Sequence, residues 1–152
     1  MDYYALRWRV ERFHFVLKSG LGFEKVQIDS GEALKKLLCV YSIVAWRLLY
    51  LLYLSLQESP RSSSEVFDRM SLLVLEQAQL DRAVGPLGAS GAVVVGELSG
   101  AVSAIAVLGG FRGSPSAPLP GVKSLWLGLR RLEGMVEGFH LAFKMMRHKG
   151  QD

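Results

Sequence analysis

The chain has 152 residues, half of them hydrophobic, and its 18 Lys and Arg against 14 Asp and Glu give a net charge of +4. That is enough apolar material for the core of one ordinary domain, and the mild basic excess, with a pI near 9.4, suits nucleic acid or an anionic surface. The single cysteine, Cys39, excludes an intrachain disulfide and a cysteine-based metal cluster and fits a cytosolic protein.

The opening MDYYALRWRVER mixes aromatic and charged residues where a secretory signal needs a basic flank and an unbroken apolar run. A helix is predicted instead from about Tyr3 to Leu17, ending at SGLG. FEKVQI then reads as an extended link. DSGEALKKLL opens a second helix, capped by Asp29 or Ser30, with Glu32 in the first turn where the helix dipole favours it, and running to about Leu56. Within it LLCVYSIVAWRLLYLLYLSL, Leu37 to Leu56, is long enough to span a bilayer and carries one charge, Arg47. An arginine at the centre of a span costs about 2.5–3.5 kcal/mol, which the surrounding leucines could offset. The run is read as a buried soluble helix, with a membrane span as the alternative.

ESPRSSSEVFDR, with Pro60 and three consecutive serines, is a clear break, and Ser64 is the expected cap of a third helix through EVFDRMSLLVLEQAQL. Pro86 and its flanking glycines end that helix. Residues 85–100 are ambiguous, because AVVV prefers strand while its neighbours prefer small-residue helix packing or a loop. GGFRGSPSAPLPG, Gly109 to Gly121, reads as a turn-rich linker. In the last helix Val122, Leu125, Leu129, Leu132, Val136, Phe139, Phe143 and Met146 recur at spacings of three and four, the pattern of a packing seam. Such a seam serves either the chain's own core or a partner.

Chemistry concentrates in the first helix. At about 100° per residue, Tyr4, Arg7, Glu11 and Lys18 fall within about 60° of one another and form one polar stripe. Leu6, Val10, Phe13 and Leu17 occupy another side and are expected to bury it. His14 lies near the edge of the stripe, and Trp8 and Phe15 border its opposite side. A solvated face with an Arg7–Glu11 ion pair, worth about 0.2–0.5 kcal/mol, accounts for the stripe by itself. The functional alternative makes Glu11 a ligand for a magnesium-type cation, with Arg7, Lys18 and Tyr4 on neighbouring phosphates. One carboxylate alone does not build such a site.

The spacing Tyr4, Arg7, Glu11, Lys18 within YALRWRVERFHFVLKSG resembles the Tyr-Arg-Glu-Lys signature of bacterial insertion-sequence-four family transposases, enzymes with an Asp-Asp-Glu site on a ribonuclease-H-like core. VAWRLLYLL at Val44 to Leu52, AVLGGF at Ala106 to Phe111 and GVKSLWLGLRRLEGMVEGF at Gly121 to Phe139 resemble later parts of the family in the same order. The resemblance implies that Glu11 is the third carboxylate and a ligand for catalytic Mg2+ or Mn2+, that Arg7 and Tyr4 contact backbone phosphate at the transposon end, and that Lys18 positions the same strand. It implies metal-dependent cleavage and strand transfer in the intact enzyme.

The family's two aspartates lie upstream of this glutamate on strands of the core, and Asp2, Asp29, Asp68 and Asp81 do not match their motifs. The stretch GPLGASGAVVVGELSG also departs from the family. The expectation is therefore the mainly α C-terminal helical segment of a ribonuclease-H-like transposase, lacking most of the catalytic sheet and encoded by a truncated or split frame. Residues 1–25 are expected to form the last core helix and a link, 26–108 a helical region with a Gly-rich middle, 109–121 a linker, and 122–152 a C-terminal dimerisation helix.

No tight metal binding and no intrinsic nuclease activity are expected. The expected partners are DNA transposon ends and either a second copy or full-length transposase, in the cytoplasm and not at a membrane. Two other classes stand beside this expectation. One is a non-catalytic helical dimerisation module that pairs with full-length transposase and inhibits it; the other is a small membrane protein using Leu37 to Leu56.

Overall fold

Helices make up all the regular structure among the residues described, which in this computed structural model are all but 1–2, 58, 85–93, 114–118 and 150–152; side chains at 3–6, 82–84 and 149 are also outside the description. The mainly α expectation is met. Among the described residues there is no strand, only an isolated antiparallel bridge between Ser62 and Glu97. The chain divides into two units, Met1–Tyr53 and Leu54–Asp152.

In the first unit, α1 spans Tyr3–Phe15 and continues as a wider π-helical turn, Val16–Gly20, closed by Leu21 N–H donating to the Val16 carbonyl at 2.9 Å. The wider turn changes the phase of the helix. Burial accordingly falls on Val16 and Leu17, while Phe13 is half-buried and Val10 is 55% exposed. The expected apolar stripe is thus covered only at its end; the Leu6 side chain lies outside the described residues. The FEKVQI link is not wholly extended. Phe23–Lys25 forms a 3-10 turn, and the Phe23 ring meets Tyr41 edge-on with centroids 5.4 Å apart. An aromatic anchor of this kind explains why the link coils before it extends at Val26.

Helix α2 covers Gly31–Ser55. Of the two candidate caps it uses Ser30, whose Oγ accepts from Ala33 N–H at 3.4 Å, and Glu32 in its first turn pairs with Lys35 at 3.0 Å. Its burial corrects the expectation of a buried helix. Ala45, Leu48, Leu51 and Leu54 are buried, but Leu38, Ile43, Trp46, Tyr50 and Tyr53 are exposed, as is Arg47. Trp46 and Tyr50, one turn apart, stack with centroids 5.0 Å apart. By length and composition alone α2 is long and apolar enough to cross a membrane.

In the second unit the serine run departs from expectation. Ser63–Glu65 is a 3-10 turn, and it is Ser62, not Ser64, whose Oγ caps it by accepting from Ser64 N–H. Ser63 is the buried one; its N–H and its hydroxyl both donate to the Gly96 carbonyl, at 3.0 and 3.1 Å. Helix α3 then starts later, at Arg69, and runs to Val84. Asp68 caps it, with Oδ1 accepting from Ser71 N–H at 3.0 Å and Oδ2 from the Ser71 hydroxyl at 2.6 Å.

These bonds, the hydroxyl one foremost, favour the ionised carboxylate and hold the Asp68 pKa below its ordinary value. A lowered folded-state pKa contributes stability that is present above the unfolded value, near 4, and is lost as pH falls through the folded value. Asp68→Ala is expected to lower stability by about 1 kcal/mol at neutral pH. In urea titrations its deficit should shrink below about pH 4; a deficit independent of pH would remove the cap from the account.

Helix α4, Leu98–Leu108, resolves part of the ambiguous stretch as helix. It packs against α5 and α3 and touches the Ser63–Glu65 turn. Ala101, Val102, Ala104, Ile105, Ala106 and Leu108 are all buried, and the polar side of the helix is only Ser99 and Ser103, too slight for its period to stand out in the sequence. No side chain caps its start; Leu98 N–H donates to the Arg61 carbonyl instead, at 2.9 Å.

Its end uses the GGF sequence. Phe111 N–H reaches back to the Ala106 carbonyl and Gly110 N–H to Val107, the paired bonds of a Schellman motif, with Gly110 at φ 94° as the motif requires. Arg131, from α5, donates to the remaining Leu108 carbonyl. The expected linker therefore begins as a helix cap; residues 114–118 of it lie outside the described residues.

Helix α5, Val122–Lys149, divides its seam in two. Val122, Leu125 and Leu132 are buried and Leu129 and Val136 half-buried, whereas Phe139, Phe143 and Met146 are 49%, 52% and 66% exposed. The buried half meets α4 at unusually close range. A Cβ on Gly128 would stand 1.8 Å from the Ile105 carbonyl oxygen, and one on Gly109 would stand 1.8 Å from that of Ser124. Only residues without a side chain allow the two backbones to meet here.

Candidate functional site

The first helix carries the densest set of candidate chemical groups, and its geometry follows from helical spacing. Arg7 and Glu11, four residues apart, face each other, with Nε donating to Oε1 at 3.0 Å. Both side chains are exposed. The bond engages one of the guanidinium's five N–H donors, so pairing with Glu11 does not exhaust its capacity for an anion.

Lys18 does not join that pair. It lies on the π-helical turn, where its Nζ stands 3.1 Å from Glu24 Oε1 on the following 3-10 turn. The sequence stripe is thus resolved into an Arg7–Glu11 pair and a Lys18–Glu24 pair. Tyr4 is in α1, but its side chain lies outside the described residues. His14 is exposed and sits edge-on to Phe13, ring centroids 6.0 Å apart.

A feature the stripe did not anticipate is Arg12. Its guanidinium lies 5.9 Å from the centre of the Trp8 ring and 6.0 Å from that of Phe15, with Trp8 and Phe15 themselves more than half exposed. Cation–π attraction to each ring holds the cation near exposed aromatic faces. The signal was present in the sequence as aromatic residues four before and three after an arginine.

The family resemblance implies a metal beside Glu11. Glu11 is a single carboxylate already bonded to Arg7, and among the described residues no cluster of three His, Cys, Asp or Glu could hold an ion. Magnesium-type cations take several oxygen ligands, and a two-metal centre needs carboxylates that bridge or flank both ions. What α1 and its terminal turn offer is cations for anions: Arg7, Arg12 and Lys18 are exposed, and Trp8 and Phe15 supply exposed aromatic faces beside Arg12. No protein-family model matches the chain.

Proposed function

We propose that this chain is the C-terminal portion of an insertion-sequence-four-type DNA transposase, which by itself binds the phosphate backbone of DNA through α1 and does not cleave it. The observation that carries the reading is the placement of Arg7, Glu11 and Lys18: the signature spacing lies on a helix and its terminal turn with all three side chains exposed. Arginine offers phosphate a bidentate fork and lysine a point charge, the combination that positions a protein on a nucleic-acid backbone. In the intact enzyme Glu11 would serve as the third carboxylate of the metal site; here it acts on Arg7.

The test is fluorescence anisotropy of a 5′-phosphorylated duplex titrated with the wild-type chain and with Arg7→Ala/Lys18→Ala at several salt concentrations. The double variant is expected to bind about tenfold or more weakly, with the slope of log K against log salt reduced by about two. A control, Lys35→Ala/Lys36→Ala, removes equal charge from α2 and should retain most of the affinity. Equal loss in both variants would reduce the effect to net charge.

A second reading, a non-catalytic helical interaction module, is favoured by a separate observation. The distal seam of α5 presents Phe139, Phe143 and Met146 to solvent. A contiguous apolar stripe on a regular helix is the ordinary form of a helix-pairing surface.

A further inference from the structure

Helix α2, Gly31–Ser55, buries one side and leaves the other open. At about 100° per residue, Cys39, Ile43, Trp46, Tyr50 and Tyr53 lie within about 40° of one line along the helix. All five are exposed. The buried Ala45, Leu48 and Leu51 lie about 120–180° away from that line. On one flank, about 60–80° from it, stand Lys36 and Arg47, both exposed and, among the described residues, in no ion pair. From Ala33 to Gln57 the sequence has no acidic residue.

We infer that α2 docks lengthwise on the surface of an anionic lipid bilayer, with the Trp46, Tyr50 and Tyr53 rings at headgroup depth and Lys36 and Arg47 on lipid phosphates. The inference is independent of the DNA-binding reading, which uses α1. Tryptophan and tyrosine concentrate at the boundary between lipid tails and headgroups, because each joins an apolar ring to a polar tip. A helix lying in the plane of that boundary holds every residue on one line at the same depth. The three rings of α2 share such a line, and the apolar Ile43 lies on it with them.

The same rings argue against a helix that crosses the bilayer, although α2 is long and apolar enough to do so. A crossing helix places its aromatic residues near its two ends, about 30 Å apart. Trp46, Tyr50 and Tyr53 instead fall within about 11 Å of rise, and Trp46 and Arg47 would stand at the centre of the span. A crossing helix also presents apolar surface to lipid all round, whereas Ala45, Leu48 and Leu51 are buried within the chain. In the plane of the surface the arginine meets no such penalty: its guanidinium reaches the phosphates while its stem lies along the apolar side. Anionic headgroups attract each such cation, and no carboxylate along this length opposes them.

The test is co-flotation of the full-length chain with vesicles of phosphatidylcholine alone, or of phosphatidylcholine and phosphatidylglycerol in equal parts. The chain should float with the mixed vesicles and bind pure phosphatidylcholine at least about tenfold more weakly. Ile43→Ser/Tyr53→Ser should reduce binding to the mixed vesicles about tenfold or more, and Lys36→Ala/Arg47→Ala should erase most of the preference for them. As a control, Leu73→Ser/Leu80→Ser removes two exposed leucines from α3 and should leave binding unchanged. Circular dichroism verifies that each variant keeps its helices.

Depth is read at Trp46, with Trp8 and Trp126 replaced by Phe. Its fluorescence should be quenched more strongly by lipids brominated near the headgroup than by lipids brominated near the chain end. Stronger quenching from the chain end would mean that α2 crosses the bilayer, and overturns the inference. So do equal binding to the two vesicles, equal losses from the α2 and α3 substitutions, and a chain that floats with neither vesicle, whatever protein or nucleic acid it binds through Ile43 and Tyr53.

Discussion

Gly128→Val is expected to destabilise the second unit by at least about 3 kcal/mol, and Gly128→Ala by roughly 2 kcal/mol. The cause is the crossing of α4 and α5. A new Cβ on Gly128 meets the Ile105 carbonyl oxygen at 1.8 Å, its carbon at 2.7 Å and Ile105 Cγ2 at 3.0 Å. Two of these atoms are backbone, so no rotamer change relieves them; the helices must move apart. Separation exposes Ile105 and Leu125, both fully buried, and draws Arg131 away from the Leu108 carbonyl that it caps.

The same helix contains its own control. Gly134 has open space around its would-be Cβ, so Gly134→Ala should stabilise α5 by about 0.5–1 kcal/mol through helix propensity alone. Urea unfolding followed by Trp126 fluorescence, with Trp8 and Trp46 replaced by Phe, reads the second unit directly. Equal effects at the two glycines would mean that the helices do not cross at Gly128.

Which glycines are crowded is what the sequence conceals. Gly109, Gly110, Gly128, Gly134 and Gly138 look alike in the chain, yet one supplies positive φ, two supply close approach and two stand in the open. The difference lies in where another helix passes, and that is not a local property. Helix α4 was obscured for a related reason: with apolar and small residues on all sides it shows no periodicity, and AVVV before it favours strand locally. By contrast α1 and α5 were legible because apolar residues recur at three and four, and α2 because a cap opens a long apolar run. The shift of the third cap from Ser64 to Asp68 shows the limit of capping rules, since Ser62, Ser64 and Asp68 are all acceptable caps and the bridge of Ser63 to Gly96 decides among them.

The candidate site divides in the same way. Arg7–Glu11 was legible as an i,i+4 pair on one helix, and it forms. Lys18–Glu24 was not, since it crosses from the π-helical turn to the next turn and depends on the end of α1. The stripe requires a continuous α-helix through Lys18, and the wider turn from Val16 onward interrupts it.

The seam of α5 offers the sharpest separation between what periodicity encodes and what packing uses. Leu125 and Phe143 stand at matching places in one apolar pattern, but Leu125 is fully buried and Phe143 is 52% exposed. Leu125→Ala is therefore expected to cost about 2–5 kcal/mol of stability, through lost transfer energy and the cavity left beneath α4. Phe143→Ala should change the stability of the isolated chain by no more than about 0.5 kcal/mol, measured at concentrations low enough to keep it monomeric.

Association should respond in the opposite sense. Phe143→Ala removes an aromatic anchor from the helix-pairing surface proposed for the distal seam, so association through that surface should weaken by at least about tenfold. A large loss of monomer stability in Phe143→Ala would mean that the distal seam is covered within the chain itself. Loss of association without loss of stability would assign the first half of the seam to folding and the second to pairing.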